Sequence, residues 1–400
     1  MKLKSLLLGS AAVLALSTGA QAADPIPATF VSLGVCDAYG ISGLTIESDD
    51  TCLSISGEVA YEYILQEDVD RAGWSIESNV DWELAFEATT QTDAGAAVAF
   101  ISLVDDDSLT SGVAPIRTRS EDPVIDQAYV QFGDTTVLSA GLKDSIFDTE
   151  VLDRTYGGDE HGDFDWDFDE NDLTNEVAQG GHVITIESLV ADGFTVIAGL
   201  EDLNDAGAGS PGDGGTALLG VEYDGGMFSA EAAVLLGDLY GATDPVNFYA
   251  AVAAEFDSFE ARASVIFDDT GDYIASLGAT ATLDMFTLDA DAYFRDNSDW
   301  GIAGEGSFDA TDTVAVYIGA GYQEVAAVDI FTVYGGVDAD VTETITANAE
   351  LGYTDNGGAD YIYGAAGVTY APGGGFETSL NVFADTDDHY KLTFEASKEF

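Results

Sequence analysis

Basic side chains are scarce in this 400-residue chain, with 11 Lys and Arg against 74 Asp and Glu and a formal net charge of −63 at pH 7. Charge of that sign repels nucleic acid and anionic membrane surfaces and draws cations. It suits a salty medium, where screening relieves the self-repulsion. Cysteine is nearly missing too: only Cys36 and Cys52 occur, too few for a metal site built on sulfur. The three histidines, His161, His182 and His389, are isolated in sequence, and no Gly-x-Ser-x-Gly motif accompanies them. A serine hydrolase therefore has no visible nucleophile elbow. Past the first residues there is no apolar run of about eighteen, which excludes a helix that crosses a bilayer. The Gly-Gly-x-Gly-x-Asp repeat of calcium-binding solenoids is also absent.

What is present is apolar and charged at once. The chain is 46% hydrophobic with a mean hydropathy of +0.09 despite its acids, more apolar than disorder allows. Fine alternation reconciles the two. In 390–400, Tyr390, Leu392, Phe394, Ala396 and Phe400 fall on one face, and Lys391, Thr393, Glu395, Ser397 and Glu399 on the other. Trp74, Ile76, Val80, Trp82, Leu84 and Phe86 alternate likewise with Ser75, Glu77, Asn79, Asp81, Glu83 and Glu87. Side chains of a strand point to opposite faces in turn. An apolar outer face and a polar inner one, repeated along a chain, describe a closed antiparallel β-barrel standing in lipid.

Connections agree. Tight turns at Asp134-Thr135, Asp192-Gly193, Asp224-Gly225-Gly226, Asp257-Ser258, Asp284-Met285 and Pro372-Gly373-Gly374-Gly375 alternate with longer acidic stretches at 67–73, 105–123, 147–181, 202–215 and 268–272. Short turns on one side and longer loops on the other are the barrel pattern. As many as twenty alternating segments can be counted. Aromatic pairs at Tyr61 and Tyr63, Phe248 and Tyr249, and Tyr361 and Tyr363 are candidates for interfacial girdles.

The first residues form an export signal. Lys2 and Lys4 precede an apolar core from Leu6 to Leu16, and Ala20-Gln21-Ala22 offers a small-residue cleavage site. Cleavage after Ala22 is expected. The rest divides into an N-terminal segment, 23–51, and a barrel, 52–400. An exported route is oxidising, so Cys36 and Cys52 are expected to form a disulfide, two buried thiols being the alternative.

Val35-Cys36-Asp37-Ala38-Tyr39-Gly40, followed by Thr51-Cys52-Leu53-Ser54-Ile55-Ser56-Gly57, resembles the opening of the alphaproteobacterial porin family. Ala128-Tyr129-Val130-Gln131-Phe132-Gly133 and Gly141-Leu142-Lys143-Asp144-Ser145-Ile146-Phe147-Asp148 look like that family's strand pair ahead of its constriction loop. The terminal Phe400 fits the outer-membrane insertion signature, through which the assembly machinery would recognise the last strand. Lys398 departs from the apolar residue expected two before the end. The resemblance implies a homotrimer of sixteen-stranded diffusion channels in the outer membrane of a Gram-negative cell.

Residues 147–181 exceed what a hairpin needs, and connections of that size are usually functional. Their centre reads Asp163-Phe164-Asp165-Trp166-Asp167-Phe168-Asp169. When extended, it shows carboxylates on one side and aromatics on the other. The aromatics would pack on the barrel wall while Asp159, Glu160, Asp163, Asp165, Asp167, Asp169 and Glu170 constrict the pore. Rings of acids favour cations. Lys143, Arg154, Arg262 and Arg295 are candidates for an opposing basic wall. Asp163, Asp165, Asp167 and Asp169 supply hard oxygens that suit Ca2+, although no EF-hand glycine follows. No cofactor is required. The expected function is passive diffusion of small hydrophilic solutes and ions, with cations preferred, and no enzymatic activity. A secreted acidic calcium-binding β protein and an outer-membrane barrel hydrolase are the alternatives.

Overall fold

The computed structural model describes residues 36, 44–48, 50–68, 73–105, 123–146, 180–203, 215–239, 245–358 and 360–400. Its strands are β1 (Leu44–Glu47), β2 (Thr51–Asp68), β3 (Gly73–Thr92), β4 (Gly95–Asp105), β5 (Pro123–Gly133), β6 (Thr136–Lys143) and β7 (Gly181–Ala191). They continue with β8 (Phe194–Glu201), β9 (Thr216–Asp224), β10 (Phe228–Leu236), β11 (Val246–Phe256), β12 (Phe259–Asp268), β13 (Tyr273–Leu283) and β14 (Phe286–Arg295). The last are β15 (Trp300–Thr311), β16 (Val314–Val325), β17 (Val328–Thr342), β18 (Ile345–Asn356), β19 (Asp360–Gly373), β20 (Phe376–Asp385) and β21 (Tyr390–Glu399).

From β2 to β21 each strand pairs antiparallel with the next, and β2 pairs with β21 to close the ring. Among the described residues the barrel therefore has twenty strands, the upper end of the sequence count. The sixteen implied by family resemblance does not hold, because the ladder is continuous through all twenty and leaves no segment over. Closure of β21 on β2 removes the free edge of the ring, the condition for a sheet in hydrocarbon.

β1 lies outside that ring and was not anticipated. It pairs with the start of β2, from Leu44 opposite Ile55 to Glu47 opposite Cys52. On the same edge β21 covers Glu58 to Gln66. β1 thus continues the pairing of that edge beyond the stretch that β21 covers. Cys36 and Cys52 form the expected disulfide, with Cα atoms 5.0 Å apart. The Cys36 amide also donates to Glu47 at 3.2 Å.

The alternation read from sequence governs which face is which. Leu277, Leu288, Ile302, Ile318, Leu351 and Val368 are exposed, whereas Ser276, Tyr293, Tyr317, Thr332 and Tyr363 on the opposite face are buried. Such an inversion of the soluble pattern fits lipid outside and water inside. Outward aromatics gather at two levels. Near the end that carries Phe400, Phe194, Tyr223 and Phe228 form a chain of contacts, and Phe286 meets Phe308 at 5.0 Å. Near the other end, Phe248 stacks on Phe267 at 4.8 Å, and Trp74 meets Tyr390 at 6.3 Å. Two girdles of this kind mark the two interfaces of a bilayer.

Two expectations need correction. Tyr249, Tyr361 and Tyr363 belong to the inner face, not to a girdle. Tyr249 sits one residue from the outward Phe248, and Tyr361 and Tyr363 flank the exposed Ile362. Adjacent aromatics in a strand must split between faces. The connections near 67–73 and 268–272 are also short. At the second, Asp268 gathers the amides of Thr270, Gly271 and Asp272 at 2.8–2.9 Å and so pulls the chain into a tight turn. Long connections at the loop end are confined to the first half of the barrel, while all connections at the Phe400 end have two or three residues.

Candidate functional site

The inner face of the barrel is the candidate site, and the connection that follows β6 is its focal point. β6 is the fifth strand of the ring, as sequence order requires. Leaving it, Asp144 accepts from the Gln127 side chain of β5 at 2.9 Å. The Ser145 hydroxyl and the Ile146 amide then both donate to Glu201 Oε1, at 3.0 and 3.1 Å. Glu201 ends β8, and β7 lies between β6 and β8. Reaching it requires the chain to turn across the inner face of β7, into the barrel. A side chain at Gly180, where the connection returns, would meet Lys143 O and Ser145 N at 2.5 Å; its φ is +66°. Both conditions call for glycine. The two ends of the connection are therefore held against each other.

Ile146 packs on an inward apolar patch made of Ile197, Leu218, Ala233, Leu235, Tyr249, Ala251 and Ile266, spread over β8 to β12. Each of these is at most 4% exposed. An apolar patch on the watery side of a barrel wall is an anomaly that sequence alternation alone does not reveal. It becomes visible only once neighbouring strands are set in register.

A second wall, β15 to β19, is built from tyrosine on glycine. Tyr317 lies over Gly336 and donates to Glu350 at 3.0 Å; Tyr363 lies over Gly352 and donates to the same carboxylate at 2.9 Å. Tyr334 lies over Gly319 and donates to Glu305 at 3.0 Å. In each case the glycine stands directly opposite the tyrosine in the ladder. A ring laid flat over glycine covers backbone and keeps the lumen clear, a packing device known to fix strand register.

Charge on the inner face is lopsided. Glu58 stands between Glu83 and Glu399 across β3, β2 and β21, and Glu62 stands opposite Glu395. Directly opposed like charges are unfavourable and are relieved by mobile cations. Among the described residues the inward cations are Lys143, Arg262, Arg295 and Lys391. Lys143 stands over the Tyr129 ring at 5.2 Å, a cation–π contact. Arg262 is bound to Asp291 at 2.8 Å across the space left by Gly278 of β13, with Glu260 at 3.8 Å.

The sequence-predicted residues are thus placed unevenly. Lys143, Arg262 and Arg295 do face inward, on β6, β12 and β14. Arg262 and Arg295 are two strands apart, and Lys143 is on a distant part of the ring. Arg154, Asp159, Glu160, His161, Asp163, Asp165, Asp167, Asp169 and Glu170 lie outside the described residues. Among the described residues no cluster has the makings of a metal site. Glu201 and the tyrosine–glutamate pairs were missed, and Lys391 was placed on the polar face but not counted with the basic wall. Parity puts all of them inward; nothing in the sequence gave their partners. Lys398 shares the outward face with Phe394, but its ammonium reaches the carbonyls of Gly374 and Glu399 at the strand end, so its charge is taken up at the rim.

A family model described as Porin subfamily matches residues 20–382. Porin Omp2b of Brucella canis is 28% identical over 373 residues, covering 90% of this chain and 94% of that one. Porin Omp2b of Brucella suis is 35% identical over 159 residues, covering 37% of this chain and 41% of that one. Among solved structures, an anion-selective porin from Comamonas acidovorans aligns over 88% of this chain and 100% of that one, with a TM-score of 0.44 and 12% identity.

Proposed function

The chain belongs to the porin family and forms a diffusion channel in the Gram-negative outer membrane, a premise from which we propose that this channel prefers cations and is narrowed by the connection that follows β6. Porin membership makes it a channel for small hydrophilic solutes rather than an enzyme.

One observation carries the proposal: Ser145 and Ile146 turn inward to Glu201 across β7. A connection launched in that direction starts inside the lumen. The apolar patch beneath Ile146 offers a bed for Phe164, Trp166 and Phe168, which leaves Asp163, Asp165, Asp167 and Asp169, with Asp159, Glu160 and Glu170, toward the water path. Their field adds to that of the inner wall, where acids outnumber the cations and Arg262 is already paired. Lys143, Arg154 and Arg295 form with Arg262 the proposed opposing wall, and Lys391 adds a further inward charge on β21. Selectivity then follows from pore width and wall charge.

The test is the reversal potential of the refolded mature chain in a planar bilayer under a salt gradient. A cation-directed potential supports the reading, and an anion-directed one overturns it. Replacing Asp163, Asp165 and Asp167 by Asn should reduce the preference while the barrel still folds; an unchanged potential removes these residues from the constriction. Assembly as a homotrimer, recognition of the Phe400 strand by assembly machinery and removal of residues 1–22 belong to the same proposal. Calcium held by Asp163, Asp165, Asp167 and Asp169 would show as a lowered melting point after chelation.

A further inference from the structure

Glu201 is fully buried although it faces the lumen. A carboxylate in that position is costly unless donors meet it. Oε1 receives the Ser145 hydroxyl and the Ile146 amide. Neither donor belongs to β8 or to the strands beside it. Both come from the chain just past β6, which has crossed β7 to arrive there. The same short stretch is fixed at three further points. Gln127 donates to Asp144, the Ile146 side chain sits on the apolar patch, and Gly180 packs on the backbone of 143–145. Beyond it, the Asp202 amide donates to Gly180 O at 2.8 Å, tying the residue after Glu201 to the returning chain.

We propose that Glu201 is a positioning residue of the channel: it holds the outset of the connection against the inner wall, and through that anchor sets conductance and ion preference. The proposal rests on the reading of this connection as the constriction. Glu201 has no need to touch the permeating ion. What matters is an acceptor at Oε1, because two donors of the launch point converge on it. A glutamine amide oxygen accepts the same two bonds without the charge, and alanine accepts neither. That difference separates positioning from direct electrostatics.

The experiment uses the full refolded chain in planar bilayers, with folding checked by the heat-dependent shift in gel migration. Glu201→Gln should keep the parent conductance and reversal potential. Glu201→Ala should split the single conductance level into several, raise open-channel noise and move the reversal potential toward zero. If Glu201→Gln behaves like Glu201→Ala, the residue acts by charge and the proposal falls. It also falls if Glu201→Ala folds and conducts like the parent. Should Glu201→Ala fail to fold, Ser145→Ala carries the test, with the same changes to a smaller degree, and a silent Ser145→Ala overturns the proposal. The aspartate-to-asparagine variant distinguishes the two failures. If it shifts the reversal potential while Glu201→Ala does not, only the positioning claim is lost. If both are silent, the constriction reading is lost as well.

Discussion

Phe400 is bonded twice to Gly57: its amide donates to Gly57 O at 3.0 Å, and the Gly57 amide donates to Phe400 O at 3.1 Å. Its ring covers the same glycine, so that a side chain there would come within 2.9 Å of Phe400 Cζ and 2.5 Å of Glu83 O. The last residue of the chain thereby completes the seam between β21 and β2, at the point where β1 takes over the edge. Gly57→Val should displace the ring and strain the backbone against Glu83. A loss of about 1–3 kcal/mol is expected from overpacking, read as a lower temperature for the gel-mobility shift. Deleting Phe400 should weaken the same seam without the clash. Parent-like melting of both variants would show that closure does not depend on this contact.

The tyrosine wall makes a second prediction. An added side chain at Gly336 would sit 2.3 Å from the Tyr317 hydroxyl and 2.6 Å from Ala349 O. Gly336→Val must therefore lift Tyr317 off the wall, breaking its bond to Glu350 and pushing the ring into the water path. Lower conductance together with a lower melting temperature is expected. If conductance is unchanged, the ring has found room elsewhere and the wall is not a register device.

Arg262 and Asp291 form an ion pair with side chains 13% and 9% exposed. Arg262→Ala would leave the Asp291 carboxylate facing the lumen, and cation preference should rise. Asp291→Asn would release the guanidinium, and the preference should fall. Breaking a well-shielded pair costs about 3 kcal/mol at most here, since lumen water reaches its edge. Reversal potentials of the two variants should move in opposite directions. Movement in the same direction would mean that the pair does not set local charge.

A pH effect belongs to the connection between β20 and β21. His389 Nδ1 lies 2.5 Å from Asp385 Oδ2. The hydrogen bond to Asp385 raises the His389 pKa above its ordinary value, against desolvation, and the charges of Asp385, Asp387 and Glu67 add to the rise. The pair favours protonated histidine in the folded chain. Its contribution is complete below the unfolded value of about 6.5 and fades as pH climbs through the raised folded value. Protease cleavage in 386–389 should accelerate over that range in the parent and be flat in His389→Gln. Equal pH profiles for the two would show that the His389–Asp385 pair does not govern the pH dependence.

Much of the architecture was legible along the chain. Strict two-residue alternation from Trp74 to Glu87 or from Phe286 to Arg295 assigns each side chain to lipid or lumen with no knowledge of its neighbours. The tight turns, the disulfide and the position of the long connection after the fifth barrel strand could also be read. The strand number could not, because it is fixed by which segments pair and by closure of β2 on β21. Tyr361 and Tyr363 looked like girdle aromatics because they end a strand, yet parity with Ile362 turns them inward. Arg262 is only a candidate for a basic wall along the chain, because its partner, Asp291, is two strands away and register alone brings them together.

The sequence by itself determined that this chain crosses lipid as β-strands, since the period of a strand is local and carries its own apolar and polar faces. Tertiary structure alone decided which distant residues meet: Glu201 with the chain leaving β6 and Tyr317 on Gly336 on the lumen face, and Phe400 on Gly57 on the lipid face. Those contacts join residues far apart in sequence, and only the register of a closed sheet, which pins every strand to two neighbours, brings them within bonding distance.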